Sequence, residues 1–226
     1  MTTATVRSYH ARRGRLSPTA VADLDRLGPR YALPGAPDEQ LDLEQLATDL
    51  GVQRWVLEIG PGMGEATLAM ARAEPGTGLI AVEVHTRGVA RLLRSLEAEG
   101  LEHVRVVQGD AVELLRARVA AASLDGIRLW FPDPWPKARH HKRRLVRPEV
   151  ASLLADRLRA GGTLHAATDW ADYAASMVEV LDAEPLLART AVGPDARPSW
   201  RPLTRYEQAG LDAGHDVVDL IYTRRD

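Results

Sequence analysis

Short aliphatic runs alternate along most of this chain with segments whose apolar residues recur at helical spacing, and this alternation limits the fold more than any other feature. Trp55-Val56-Leu57-Glu58-Ile59 reads as a buried strand running into Gly60-Pro61-Gly62-Met63-Gly64 and then a helix through about residue 72. Residues 79–83 predict a second strand. Val89, Leu92, Leu93 and Leu96 follow at i, i+3, i+4 and i+7, one face of a helix that Gly100 ends. A third strand is predicted over 104–107, then a helix from Asp110 to about residue 121. Residues 127–131, 163–168 and 217–222 predict three more strands. Between the first two of these, Pro148 opens a helix carrying Val150, Leu153, Leu154 and Leu158, which Gly161-Gly162 stops. Asp169 then starts a helix with Trp170, Tyr173, Met177 and Leu181 in line. Such alternation gives an α/β fold, a mainly parallel sheet with helices on both faces and right-handed crossovers.

Upstream, residues 1–16 are basic (Arg7, Arg12, Arg13, Arg15) and lack apolar periodicity. They form either a disordered arm or one that orders on nucleic acid. Ser17-Pro18 suits the N-cap and first position of a short helix whose face is Val21, Leu24 and Leu27. Residues 28–38, with Gly28, Pro29, Pro34, Gly35 and Pro37, predict a loop, and Leu43, Leu46, Ala47 and Leu50 another helix, ended by Gly51. The expected organisation is an arm with a short helix over 1–38 and a single α/β domain over 39–226, which 226 residues and 45% hydrophobic content allow. The absence of cysteine excludes disulfides and thiolate metal sites and fits a reducing, cytoplasmic setting. No apolar run suits a signal peptide, and none reaches the roughly 18 residues of a membrane span.

In such sheets ligands bind outside the carboxyl ends of the strands. The glycine turn, Glu83, Asp110, Asp133 and Asp169 all converge on that edge. A dinucleotide fingerprint is not met: counted from Gly60 its last place is Glu65, and from Gly62 it is Thr67. Glu58 and Glu65 also flank the turn, where a diphosphate needs positive potential. Glu58-x-Gly60-x-Gly62-x-Gly64 suits instead a cationic ligand without phosphate, such as S-adenosylmethionine. Glu83 would accept its ribose hydroxyls and Asp110 a donor of the adenine or ribose. Asp110 and Asp169 read equally well as helix N-caps.

The fourth predicted strand ends in Phe131-Pro132-Asp133-Pro134-Trp135-Pro136. Each residue before a proline is pushed out of the α region toward extended geometry, so Asp133 sits on a stiff backbone. Directly after it, Lys137, Arg139, Lys142, Arg143, Arg144 and Arg147 place six cations within eleven residues, although net charge is only −2. A rigid carboxylate beside such a patch suits a site acting on a polyanion, with the cations on phosphates. Trp135 fits either a base or the core. His140 and His141 lack the partners that a metal site needs, and no metal is expected.

These motifs carry a resemblance. With Arg7-Ser8-Tyr9, Gly14-Arg15-Leu16-Ser17-Pro18, Thr168-Asp169-Trp170 and Arg201-Pro202-Leu203-Thr204-Arg205-Tyr206-Glu207, the chain closely resembles the bacterial single-subunit tRNA (guanine-N7-)-methyltransferases over nearly its whole length. The resemblance implies a Rossmann-like class I methyltransferase with a seven-stranded sheet whose last strand is antiparallel. It implies methyl transfer from S-adenosylmethionine to N7 of guanine 46 in the variable loop of tRNA, without an obligate protein partner. Asp133 would be the catalytic residue, holding the guanine beside the cofactor's methyl end. Glu58, Gly60, Gly62, Gly64, Glu83, Asp110 and Asp133 would line the cofactor. Lys137, Arg139, His140, Lys142, Arg143, Arg144, Asp169, Thr204, Arg205, Tyr206 and Glu207 would meet the RNA. A methyltransferase of similar fold acting on a small molecule or protein would not need the basic run. An RNA-binding module that has merely kept the fold would take up no S-adenosylmethionine.

Overall fold

A computed structural model describes residues 15–226, apart from the side chain of Tyr206. The basic-arm expectation over 1–16 thus falls outside the described residues except for Arg15 and Leu16. Strands β1 (Arg54–Ile59), β2 (Thr77–Glu83), β3 (Val104–Gln108), β4 (Leu124–Trp130), β5 (Leu158–Thr168), β6 (Leu187–Gly193) and β7 (Val218–Arg224) form one sheet. Their order is β3-β2-β1-β4-β5-β7-β6. Strands β1 to β5 are parallel, and β7 runs antiparallel between β5 and β6. The order switches direction at β1, which pairs with both β2 and β4. That opens a crevice at their carboxyl ends.

Among the described residues eight α-helices surround the sheet: α1 (Pro18–Tyr31), α2 (Leu43–Leu50), α3 (Glu65–Ala73), α4 (Thr86–Glu99), α5 (Ala111–Ala117), α6 (Pro148–Arg157), α7 (Ala171–Asp182) and α8 (Arg205–Asp212). On one face Leu57, Ile59, Val82, Ile127 and Leu129 pack against apolar residues of α2, α5, α6 and α7. On the other, Val56, Leu79 and Ala81 meet those of α1, α3 and α4. Cover on both faces is why β2 is buried at every position and reads as an unbroken apolar run.

Several boundaries differ from the sequence expectation. Helix α1 continues through Gly28 and Pro29 to Tyr31, so the loop begins four residues later than predicted by composition alone. Pro29 lies in the last turn of the helix. The buried face of α1 is Ala20, Asp23, Leu27 and Tyr31, while Val21 points outward, because Asp23 is drawn onto α4 by an ion pair with Arg94. Helix α5 stops at Ala117. Strand β5 begins at Leu158 and passes through Gly161-Gly162, where its register against β4 shifts and Gly161 takes a φ of +75°. Those glycines form a bulge and do not end the helix. Strand β6 and helix α8 have no counterpart in the sequence expectation.

Candidate active site at the carboxyl edge of the sheet

A cavity of about 190 Å³ opens where β1, β2, β3 and β4 end. Its glycine floor is Gly60 and Gly62, with φ of +74° and +59°. An ideal Cβ on Gly60 would meet nothing within 4 Å, so the space beside this turn is open to a ligand. Glu83, at the end of β2, is 3% exposed. One carboxylate oxygen accepts the N–H of Gly62 at 2.8 Å and the other that of His85 at 2.7 Å. The carboxylate therefore ties the glycine turn to the start of α4. Gly88 permits that approach, since a Cβ there would run into the carbonyl oxygen of Gly62. The structure shows the capping role of Asp110, which accepts the Val112 N–H at 2.8 Å at the start of α5, and places it on the cavity wall.

Glu58 and Gly64 stand behind this surface and do not line the cavity. Glu58 is buried and accepts the Thr67 hydroxyl at 2.6 Å, and burial pushes its carboxyl above the usual range. Gly64 sits against Leu92, whose Cδ1 would lie 2.6 Å from an added Cβ. Both residues thus hold the turn in place. The charged groups on the cavity wall are Glu83, Asp110 and Asp133, with no lysine or arginine among the lining residues.

The loop after β4 carries Asp133 to the cavity rim, where it is exposed. Its neighbours correct the extended-geometry expectation. Phe131 and Trp135 both precede prolines, yet they take φ of +54° and +45°. Proline excludes the right-handed α region but leaves the strained left-handed one open when surroundings select it. Here those surroundings are packing: the Arg201 guanidinium lies 5.7 Å from the Phe131 ring, and Trp135 is 4% exposed. Trp135 belongs to the interior, beneath Arg143 at 4.8 Å and His140 at 5.8 Å, and offers no open face for a base.

The basic run forms a short 3-10 helix over Ala138–Arg143. Lys137, Arg139 and Lys142 are exposed, and His140 and Arg143 partly so. Arg144 is different. It is 3% exposed, donates to the Pro134 carbonyl at 3.1 Å, pairs with Asp172 and lies 4.8 Å from the Tyr173 ring. Its place is under the Asp133 loop, away from solvent phosphates.

Helix α8 lies over the same edge. Thr204 caps it, accepting the Glu207 N–H at 3.1 Å. Arg205 pairs with Glu65 of α3 at 2.7 Å, and Gly210 packs against Asp169, which also meets His215 at 3.4 Å. Asp169 does not cap α7; Thr168 accepts the Trp170 N–H instead. Glu207 is buried and holds the fully buried Arg201 through bonds of 2.7 and 2.8 Å. Arg201 also donates to Asp219 at 3.0 Å, and Asp219 meets His165 at 2.6 Å. Burial, opposed by Asp219, lowers the His165 pKa. The sequence reading missed the roles of Thr67, Gly88, Arg144, Arg201 and Asp219. Of these only Asp219 carried a local signal, a charge inside an otherwise apolar strand, a signal that its partner His165 shares.

A family described as "Putative methyltransferase" matches residues 52–220. A "tRNA (guanine-N(7)-)-methyltransferase" of Thiobacillus denitrificans is 49% identical over 220 residues, covering 97% of this chain and 96% of that protein. Those of Nitrosomonas europaea and Burkholderia cenocepacia are each 46% identical, covering 97% of this chain and 96% and 85% of theirs. Among solved structures, the 16S rRNA methyltransferase KamB superposes with a TM-score of 0.60 at 15% identity, covering 87% of this chain and 99% of that one. The aminoglycoside resistance methyltransferase NpmB1 does so at 0.54 and 18%, covering 82% and 94%. Those two likenesses concern the fold alone, and the sheet order, the glycine turn and the full-length identity together place this chain in the tRNA (guanine-N(7)-)-methyltransferase family.

Proposed function

We propose that the protein transfers the methyl group of S-adenosylmethionine to N7 of a guanine in tRNA, the guanine at position 46 of the variable loop. The observation that carries this reading is a cavity whose lining, among the described residues, holds three carboxylates and no lysine or arginine, opening beside a loop whose outer face is basic. Carboxylates favour a sulfonium and an ammonium and disfavour a diphosphate, and the apolar side chains of Ile59, Val82 and Ala111 suit an adenine. Glu83 would accept ribose hydroxyls on the lone pairs that its two backbone bonds leave over, and Asp110 a donor of the nucleoside. When bound, the cofactor supplies a methyl group activated for in-line displacement.

Guanine N7 carries its lone pair in the ring plane, so no base need remove a proton before attack. What the chain must do is place the purine and exclude misaligned approach. Asp133, at the cavity rim, would accept the guanine N1–H and exocyclic amine. Lys137, Arg139, Lys142 and Arg143 would hold phosphates around the target. Asp133→Asn keeps the size but sets a donor against a donor. Single-turnover methyl transfer should fall about 100-fold, while cofactor and tRNA affinities change far less. Nucleoside analysis of the product should give 7-methylguanosine, and none from a tRNA with adenine at position 46. A near wild-type single-turnover rate in Asp133→Asn removes Asp133 from the reacting geometry.

A further inference from the structure

Trp200 is 50% exposed, on the segment joining β6 to α8. Tryptophan is enriched among the anchors of recognition surfaces, and a large ring held rigidly half in water beside a site fits that role. This ring is rigid. The Arg128 guanidinium lies 5.3 Å from its centroid, His165 meets it edge-on at 5.4 Å, and Trp130 lies 6.4 Å away. Its backbone is fixed as well. The Arg201 N–H donates to the Pro198 carbonyl at 3.1 Å, closing a turn around Trp200, and Arg197 donates to the Arg201 carbonyl at 2.8 Å. The Arg201 side chain is then locked below by Glu207 and Asp219. A fully buried arginine with two carboxylate partners is a demanding way to secure a surface turn. What it secures is the position of one outward ring.

That position matters. Trp130 and Phe131 both line the cavity; Trp200 lies 6.4 Å from the Trp130 ring and the Arg201 guanidinium 5.7 Å from that of Phe131. Trp200 therefore stands one ring outside the cavity wall. Exposed Leu203 lies three residues further along the same segment. A guanine whose N7 is methylated inside a closed site must leave its stack, and its neighbour in the strand then loses a stacking face. A fixed indole beside the site restores it, and stacking of this kind tolerates any base.

We propose that Trp200 is the stacking platform for the nucleobase adjacent to the target guanine in bound tRNA. The proposal rests on tRNA being the substrate. Its test compares wild type, Trp200→Ala and Trp200→Phe on unmodified tRNA, with melting curves to verify folding. Trp200→Ala should weaken tRNA binding by about 10- to 100-fold, the range for removal of one base–aromatic stack. Trp200→Phe, which keeps an aromatic face, should stay within about threefold of wild type. Cofactor affinity and the single-turnover rate at saturating tRNA should stay within about threefold in both, because the target guanine and the methyl donor are held elsewhere. Trp200 should also supply an acrylamide-quenchable fluorescence component, absent from Trp200→Phe and shielded when tRNA binds. If wild type methylates tRNA and Trp200→Ala binds it equally well, the stacking proposal alone falls. Loss of the saturating rate with unchanged affinity would also overturn it, placing the ring in the reacting geometry. A wild type that neither binds nor methylates tRNA overturns both the substrate reading and this one.

Discussion

Replacing Arg144 by Met should damage the enzyme without touching its electrostatic grip on RNA. Arg144 belongs by sequence to the cation run, but its side chain is 4% exposed and is committed to the Pro134 carbonyl and the Tyr173 ring. A hydrogen bond from a charged donor contributes about 1.5–3 kcal/mol, and a partly desolvated cation–π contact about 1–2 kcal/mol. Their loss, offset by the good packing of Met in a volume close to that of the arginine stem, should cost roughly 2–4 kcal/mol of stability. The pair with Asp172 adds little, because that carboxylate is 64% exposed and rehydrates when left alone. Pro134 follows Asp133 directly, so release of its carbonyl also loosens the loop, and turnover should fall with the melting temperature. The dependence of tRNA affinity on salt should nevertheless match wild type. Arg139→Ala and Lys142→Ala should do the reverse, keeping stability and each reducing the slope of log K against log salt by about 0.7–0.9. Binding titrations between about 50 and 200 mM salt provide the assay. A slope reduced in Arg144→Met as much as in Arg139→Ala would refute the reasoning, since a buried cation would then be releasing counterions.

Two further outcomes follow from residues behind the cavity. The folded-state pKa of Glu58 is raised by burial, so the native state holds a proton that the unfolded state has released, and stability falls as pH rises from the usual carboxylate range through the raised value. Glu58→Gln, whose carbonyl can still accept from Thr67, should therefore match wild type below about pH 4 and gain on it as pH rises, by urea unfolding across that range; a constant difference would contradict the burial argument. Gly88→Ala should push the Gly62 carbonyl aside, lowering cofactor affinity at least about tenfold and stability by about 1–3 kcal/mol, read by calorimetry and melting; unchanged affinity would mean that the glycine turn does not shape the cofactor site.

The sequence exposed the inner strands because parallel strands covered on both faces leave continuous apolar runs, as in β2. Strand β6 lacked that signal: only Leu187 is buried, and Arg189 and Thr190 face water at the sheet edge. Helix α8 is eight residues, mostly polar, held by its Thr204 cap and by Glu207 bonding to Arg201, a contact invisible to periodicity. Glu83, Asp110 and Asp133 were legible because strand ends in such a sheet must converge. Which cations of the basic run face outward was not, since the 3-10 turn of Ala138–Arg143 decides it, sending Arg144 inward. The same limit applied to Phe131 and Trp135. Local sterics before proline forbid one region, and only tertiary packing selects among the rest.

The placing of β7 between β5 and β6 has a consequence for biosynthesis. Strand β6 leaves the ribosome first but finds no partner on the growing sheet, because its neighbour among the described strands is made about 25 residues later. Asp219 arrives with that same strand. Until it does, Arg201 and His165 lack the carboxylate that they share, and the turn bearing Trp200 has no floor to settle on. The cavity lining, all of it encoded before residue 146, is therefore made well before the turn bearing Trp200 can settle. A nascent chain stalled short of β7 would carry the cavity and the basic turn of Ala138–Arg143 but not the fixed turn that bears Trp200.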